Sequence, residues 1–171
     1  LEEGEASLAL PTGTVRLRLF DEGGRIDLGK APVEVLAGLL RFVGASERAA
    51  EEMAERIADW RDPDDEARPG GAEADAYRGA GLPYEPANGP FTDVRQVAHV
   101  LGAPPGLADR LAPYVTVFGQ EAVNPLAAPA EVLAALPGMD RGRLADFLEL
   151  RRRAPLEAAR SVARLGAAQR Y

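Results

Sequence analysis

The chain has 171 residues, 46% of them hydrophobic, carries a formal net charge of −7 and contains no cysteine. That length supports one substantial domain or two small ones with a packed core. The missing thiols exclude disulfides, thiolate metal sites and a cysteine nucleophile, and the acidic balance argues against a general affinity for phosphate backbones.

The 14 prolines and 18 glycines point to short helices separated by turns. Neither a long apolar run nor a basic stretch leading into an apolar one is present to read as a membrane span or signal peptide. Because the chain starts at Leu1 with an Ala/Glu-rich stretch, an upstream segment is expected to have been removed.

In chain order, "VRLRLF" alternates Val15, Leu17 and Leu19 with arginines, the period of a half-buried strand, and "DEGG" at Asp21–Gly24 supplies a turn. "PVEVLAGLLRFVG" places Leu36, Leu39, Leu40 and Val43 at helical spacing, with Gly44 as a stop. Ser46 caps "ERAAEEMAERIADW", whose Ala50, Met53, Ala54 and Ile57 form one face. From Asp62 to Pro90 periodicity is lost, and Tyr77, Leu82, Tyr84 and Phe91 are expected to anchor that segment.

Thr92 is expected to cap a helix over "DVRQVAHVLG", with Val94, Val97, Ala98 and Leu101 on its apolar face. A short helix at "GLADRLAPY" and a strand at Val115–Phe118 follow. The last third is helical: "PAEVLAAL" from Pro129, a "PGMD" turn, a helix to Arg153, and another opened by Pro155. An internal repeat joins the two ends, since Ile26–Leu39 aligns without gaps on Val123–Leu136 with seven of 14 positions identical at a constant offset of 97. Two related helical modules are the expected organisation.

Between Asp59 and Asp75 lie seven carboxylates against two arginines. Such crowding is repulsive, and a hard cation relieves it: Ca²⁺ takes about six to eight oxygen ligands in irregular geometry, whereas Mg²⁺ prefers a tighter octahedron. Counted from Asp62 as position 1, Asp64, Glu66, Arg68 and Glu73 fall at positions 3, 5, 7 and 12 of an EF-hand spacing. Ala67 stands where that loop needs glycine, and Arg68 offers only its backbone carbonyl, so the pattern is an irregular oxygen-rich loop. The competing reading is a solvated acidic loop. His99, the only imidazole, sits among apolar neighbours and reads as a structural side chain.

"LAALPGMDRGRLADFLELR" has the form of a helix-hairpin-helix, with Ala145 where the helices would cross and Arg141, Arg143 and Arg151–Arg153 as phosphate-binding candidates. The alternative is a packing motif with a solvated basic helix end. An enzyme is disfavoured: Ser7, Ser46 and Ser161 lie in no Gly-x-Ser-x-Gly elbow, and neither a Gly-x-Gly-x-x-Gly nor a phosphate loop occurs.

Taken together, "DEGGRIDL", "RIADWRDPDDEARPGGAEADAY", "GLPYEPANGPF", "LAPYVTVFG" and "VNPLAAPAEVLAALPG" resemble the minor pseudopilin family called general secretion pathway protein K, of the bacterial type II secretion system. The resemblance runs in order from about Val15 to Leu148. It implies a mainly helical α+β fold: a pseudopilin-type small antiparallel sheet carrying a large helical insertion, SAM-like or helix-hairpin-helix-like. On this reading, residues 1–28 and 112–122 hold the core strands, 29–111 a first helical module with the acidic loop, and 123–171 a second.

The family also implies calcium in the acidic motif, with ligands among Asp59, Asp62, Asp64, Glu73 and Asp75 and with Asn88 as a weaker candidate. Implied partners are the minor pseudopilins I and J at the tip of a pseudopilus, with secreted substrate proteins as a further class and no nucleic acid. The implied setting is a periplasmic domain of a protein anchored in the inner membrane of a Gram-negative bacterium by a leader-borne helix that this chain lacks. Further strands are expected beyond Tyr171, and Gly29 stands where the family typically carries Asn. The alternative function is a helix-hairpin-helix nucleic-acid binder.

Overall fold

The computed structural model describes residues 4–19 and 21–162. Strands β1 (Gly4–Leu10) and β2 (Gly13–Leu19) form an antiparallel hairpin in which Glu5 faces Arg18 and Leu8 faces Val15. Strand alternation puts Ala6, Leu8, Leu10, Val15, Leu17 and Leu19 on one face and the Glu5–Arg18 ion pair on the other. All of these apolar side chains are exposed. Val15, Leu17 and Leu19 predict β2, whereas the small residues Gly4, Ala6, Ser7 and Ala9 give β1 no such signal.

Strand β3 (Ile26–Asp27) pairs in parallel with β4 (Val115–Thr116). The single small antiparallel sheet expected from the sequence is therefore, among the described residues, an antiparallel hairpin plus a separate parallel pair. β4 stops short of Phe118 because Thr116 Oγ1 accepts the Phe118 N–H at 3.1 Å and turns the chain outward. Phe118 is left 81% exposed.

The helices are α1 (Val33–Phe42), α2 (Glu47–Arg61), α3 (Ala74–Gly79), α4 (Leu107–Leu111), α5 (Ala130–Ala135), α6 (Arg141–Arg153) and α7 (Pro155–Ser161). Ser46 caps α2 as predicted, its hydroxyl accepting the Ala49 N–H. One continuous core, reaching from Ile26 to Ala158, takes in the predicted face Ala50, Met53, Ala54 and Ile57.

Residues 94–99 form a 3-10 helix, and its cap is Asp93, not Thr92: Asp93 accepts the Arg95 N–H while Gln96 reaches back to the Asp93 N–H. Its three-residue period turns Val97 and Val100 inward and leaves Ala98 exposed, unlike the predicted α-helical face. Ala145 is also exposed, so it is not a helix-crossing point; α6 buries Phe147 instead.

The repeat is visible in three dimensions. Asp27 accepts the Gly29 N–H on its side chain and the Lys30 and Ala31 N–H groups on its carbonyl; Asn124 does the same for Leu126, Ala127 and Ala128. Each turn is clasped by an arginine. Arg61, at the end of α2, donates to the carbonyls of Leu28 and Ala31, and Arg151, on α6, donates to those of Pro125 and Ala128. The accepting residues are again related by the offset of 97, although the arginines are not. α1 and α5 then pack directly together. A Cβ placed on Gly38 would lie 2.1 Å from the Ala135 carbonyl oxygen, so only glycine permits this approach.

Candidate metal centre

The end of α2 organises the acidic segment. Arg56 Nε donates to the Gly70 carbonyl at 3.3 Å, and Glu55 accepts the Gly70 N–H. One turn further on, Asp59 Oδ2 accepts the N–H groups of Ala72 at 2.8 Å and Arg68 at 3.2 Å. Contacts on two successive turns fold residues 68–72 back along the helix. Gly71 is required here, because a Cβ on it would sit 1.8 Å from Asp59 Oδ2.

The fold-back brings three carboxylates together. Ligand oxygens of Asp59, Asp62 and Glu73 all lie within 4.8 Å of one another. Asp59 is fully buried, and Glu73, at the N-cap position of α3, is only 7% exposed. Arg68 bridges two of the three: its Nη1 is 2.5 Å from Asp59 Oδ1 and also donates to Asp62 Oδ2. Those hydrogen bonds, Asp62 first, raise the Arg68 pKa. Burial, and then the charges of Asp59 and Asp62, push the Glu73 carboxyl up to about 7.

Several acceptors remain unmatched. Both Glu73 carboxylate oxygens, Asp62 Oδ1 and Asn88 Oδ1 are buried with no hydrogen-bond donor among the described residues. Orphaned buried acceptors of this kind are rare and costly. An all-oxygen, anionic donor set of this size fits a hard divalent cation, whose ligand distances are about 2.3–2.6 Å for Ca²⁺.

Of the residues singled out from the sequence, Asp59, Asp62 and Glu73 converge. Asp64 is exposed and turns onto the Glu66 N–H. Asp75 is exposed on α3 and pairs with Arg78. Asn88 adopts φ +44° and donates through Nδ2 to Asp65 at 3.1 Å, which leaves its Oδ1 as one of the orphans. The Arg68 guanidinium, assigned from spacing only a backbone role, turns out to be the cation inside the cluster. Nothing in the sequence separates it from Arg61.

An aromatic wall backs the site. Trp60 stacks on Phe91 (6.2 Å) and His99 (6.5 Å) and meets Tyr77 at 6.1 Å. The Tyr77 hydroxyl accepts the Leu101 N–H at 2.9 Å, and burial pushes its pKa up to about 12. These contacts fasten residues 77–101 over the end of α2 and give His99 a packing role. Elsewhere, Arg143 donates to Gly138 O and pairs with Asp140, and Arg151 clasps its turn, so neither projects a free guanidinium toward a phosphate.

Fold and site together define a mainly helical α+β protein with small two-stranded sheets and a long acidic loop locked onto a helix end. Residues 19–120 match the family model described as Type II secretion system (T2SS), protein K, and the chain belongs to that family. It is 29% identical over 152 residues to type II secretion system protein K of Pseudomonas aeruginosa, covering 82% of this chain and 45% of that protein. With the Pectobacterium carotovorum protein of the same name it shares 31% identity over 93 residues, 54% of this chain and 28% of that protein. The chain thus spans less than half the length of these relatives. Its fold is similar to that of a chain in the crystallised GspK-GspI-GspJ complex of the enterotoxigenic Escherichia coli type 2 secretion system, with a TM-score of 0.66 at 22% identity over 90% of this chain and 56% of that one. Among the described residues no helix is long and apolar enough to cross a membrane.

Proposed function

We propose that this chain is the periplasmic part of a minor pseudopilin that works by assembly and not by catalysis, capping a type II secretion pseudopilus together with pseudopilins I and J. The observation that carries the reading is the family match over residues 19–120. The fold likeness to a chain from a complex of three such proteins supports it. The exposed apolar face of the β1–β2 hairpin is a surface on which the long anchoring helix of a pseudopilin would pack. The two helical hairpins α1–α2 and α5–α6 constitute the helix-hairpin-helix-like insertion, and their bulk would block further subunits from adding above.

Within that assembly the acidic loop holds calcium, with Asp59, Asp62 and Glu73 as the side-chain ligands. The ion's contribution is charge neutralisation, which adds stability to a segment already held onto the end of α2 and keeps it fixed for partner contact. The test of function is reconstitution. Mixed with the periplasmic domains of pseudopilins I and J from the same secretion system, the protein should elute as one ternary species in size-exclusion chromatography with light scattering. Three separate peaks at micromolar concentration would count against the reading, and a shift on adding duplex DNA would revive the nucleic-acid alternative.

A further inference from the structure

Arg68 occupies the place in the carboxylate cluster where a positive charge is most needed. Its Nη1 sits 2.5 Å from Asp59 Oδ1, about the distance at which Ca²⁺ holds an oxygen, and it contacts Asp62 Oδ2 as well. It does not reach Glu73, whose two buried oxygens have no donor among the described residues. One guanidinium therefore satisfies only part of the cage. The side chain is 37% exposed, so it can swing out to solvent without dragging the backbone through the core. Its own N–H stays on Asp59 Oδ2, which holds the backbone in register whichever way the side chain points.

We infer that Arg68 is a built-in stand-in cation: in the ion-free protein its guanidinium bridges Asp59 and Asp62, and a divalent cation entering the Asp59–Asp62–Glu73 cage displaces it into solvent. The inference rests on the metal reading above and adds a device to it. Since the two cations compete for the same oxygens, the ion-free loop stays ordered while the apparent ion affinity is reduced. If the bridged form holds nine-tenths of the ion-free population, the apparent Kd is raised about tenfold.

Arg68→Gln keeps much of the reach and removes the charge. Calcium titration by calorimetry, with Mg²⁺ as control, should show the variant binding Ca²⁺ about tenfold more tightly than the wild type. Thermal melts should show it less stable than the wild type in EGTA but matched to it at saturating Ca²⁺. Arg68→Lys, which keeps a charge but loses the fork, should fall between and serves if the glutamine variant does not fold. In the wild type, the Arg68 Nε–Hε NMR signal should move to its solvent-exposed position as Ca²⁺ is added. Calcium binding to the wild type with affinity unchanged or weakened by Arg68→Gln overturns the displacement and leaves the metal site standing. Binding to neither protein overturns both.

Discussion

Asp59→Asn changes one buried oxygen to a nitrogen in the group that holds the acidic loop onto α2. The wild-type carboxylate, fully buried, accepts two backbone N–H groups and one guanidinium. An asparagine that still faces the Arg68 and Ala72 N–H groups with its oxygen must turn its NH₂ toward Arg68 Nη1, donor against donor. Hydrogen bonds to a charged group contribute about 1.5–3 kcal/mol and neutral ones about 1. Downgrading two and losing the third gives a gross loss of roughly 3–5 kcal/mol, the range seen when one partner of a buried ion pair is removed. Arg68 retains Asp62 and is partly solvated, which brings the net to about 3 kcal/mol. Urea denaturation in EGTA, followed by circular dichroism, measures it, with exposed Asp75→Asn as a control that should move stability by less than about 0.5 kcal/mol. A loss below about 1 kcal/mol for Asp59→Asn would refute the claim that this carboxylate pins the loop.

Other consequences follow from the same contacts. Arg151→Ala removes the clasp on Pro125 and Ala128 and should lower stability by about 2–3 kcal/mol in the same assay, while exposed Arg152→Ala changes it by less than about 0.5. Gly38→Ala forces a methyl into the Ala135 carbonyl, so α1 and α5 must part; a melting temperature within 2 °C of wild type would contradict the close packing, against an expected loss of about 1–3 kcal/mol or more. Burial pushes the Tyr77 hydroxyl up to about 12. Its folded value lies above the ordinary 10, so the stability it carries is whole below pH 10 and is lost as pH rises through about 12. Absorbance at 295 nm should show a tyrosine that ionises last in the native protein, and Tyr77→Phe should abolish that late step.

What could be read from the sequence depended on whether a signal was local. Ser46, the apolar stripe of α2 and the Pro-started helices of the repeat are set by neighbours three or four residues apart, and all appear where periodicity puts them. α3 is a six-residue helix inside the segment that had no period, too short for a stripe to register. The cap at Asp93 and the 3-10 turn after it depend on Gln96 reaching back, which an α-helical template does not consider. At the site, the acidic run marked the region but could not sort its members. Asp59 and Asp62 lie on the end of α2 and Glu73 on the start of α3, and only the fold-back of residues 68–72 brings those ends together. Asp64 and Asp75 are equally acidic in the sequence yet fall on the outer side of the same turns. The EF-hand count put Asp62 and Glu73 at the two ends of the twelve residues that join α2 to α3, and the fold-back of residues 68–72 brings those two ends together.

The most direct test of the account is a thermal melt of the wild type in EGTA, in Ca²⁺ and in Mg²⁺, beside Asp62→Ala/Glu73→Ala. A melting temperature that rises with Ca²⁺ but little with Mg²⁺, and a rise that the double variant loses, is the predicted result. An identical melting temperature in all three solutions would contradict it and leave the orphaned oxygens of Glu73 without the ion this account gives them.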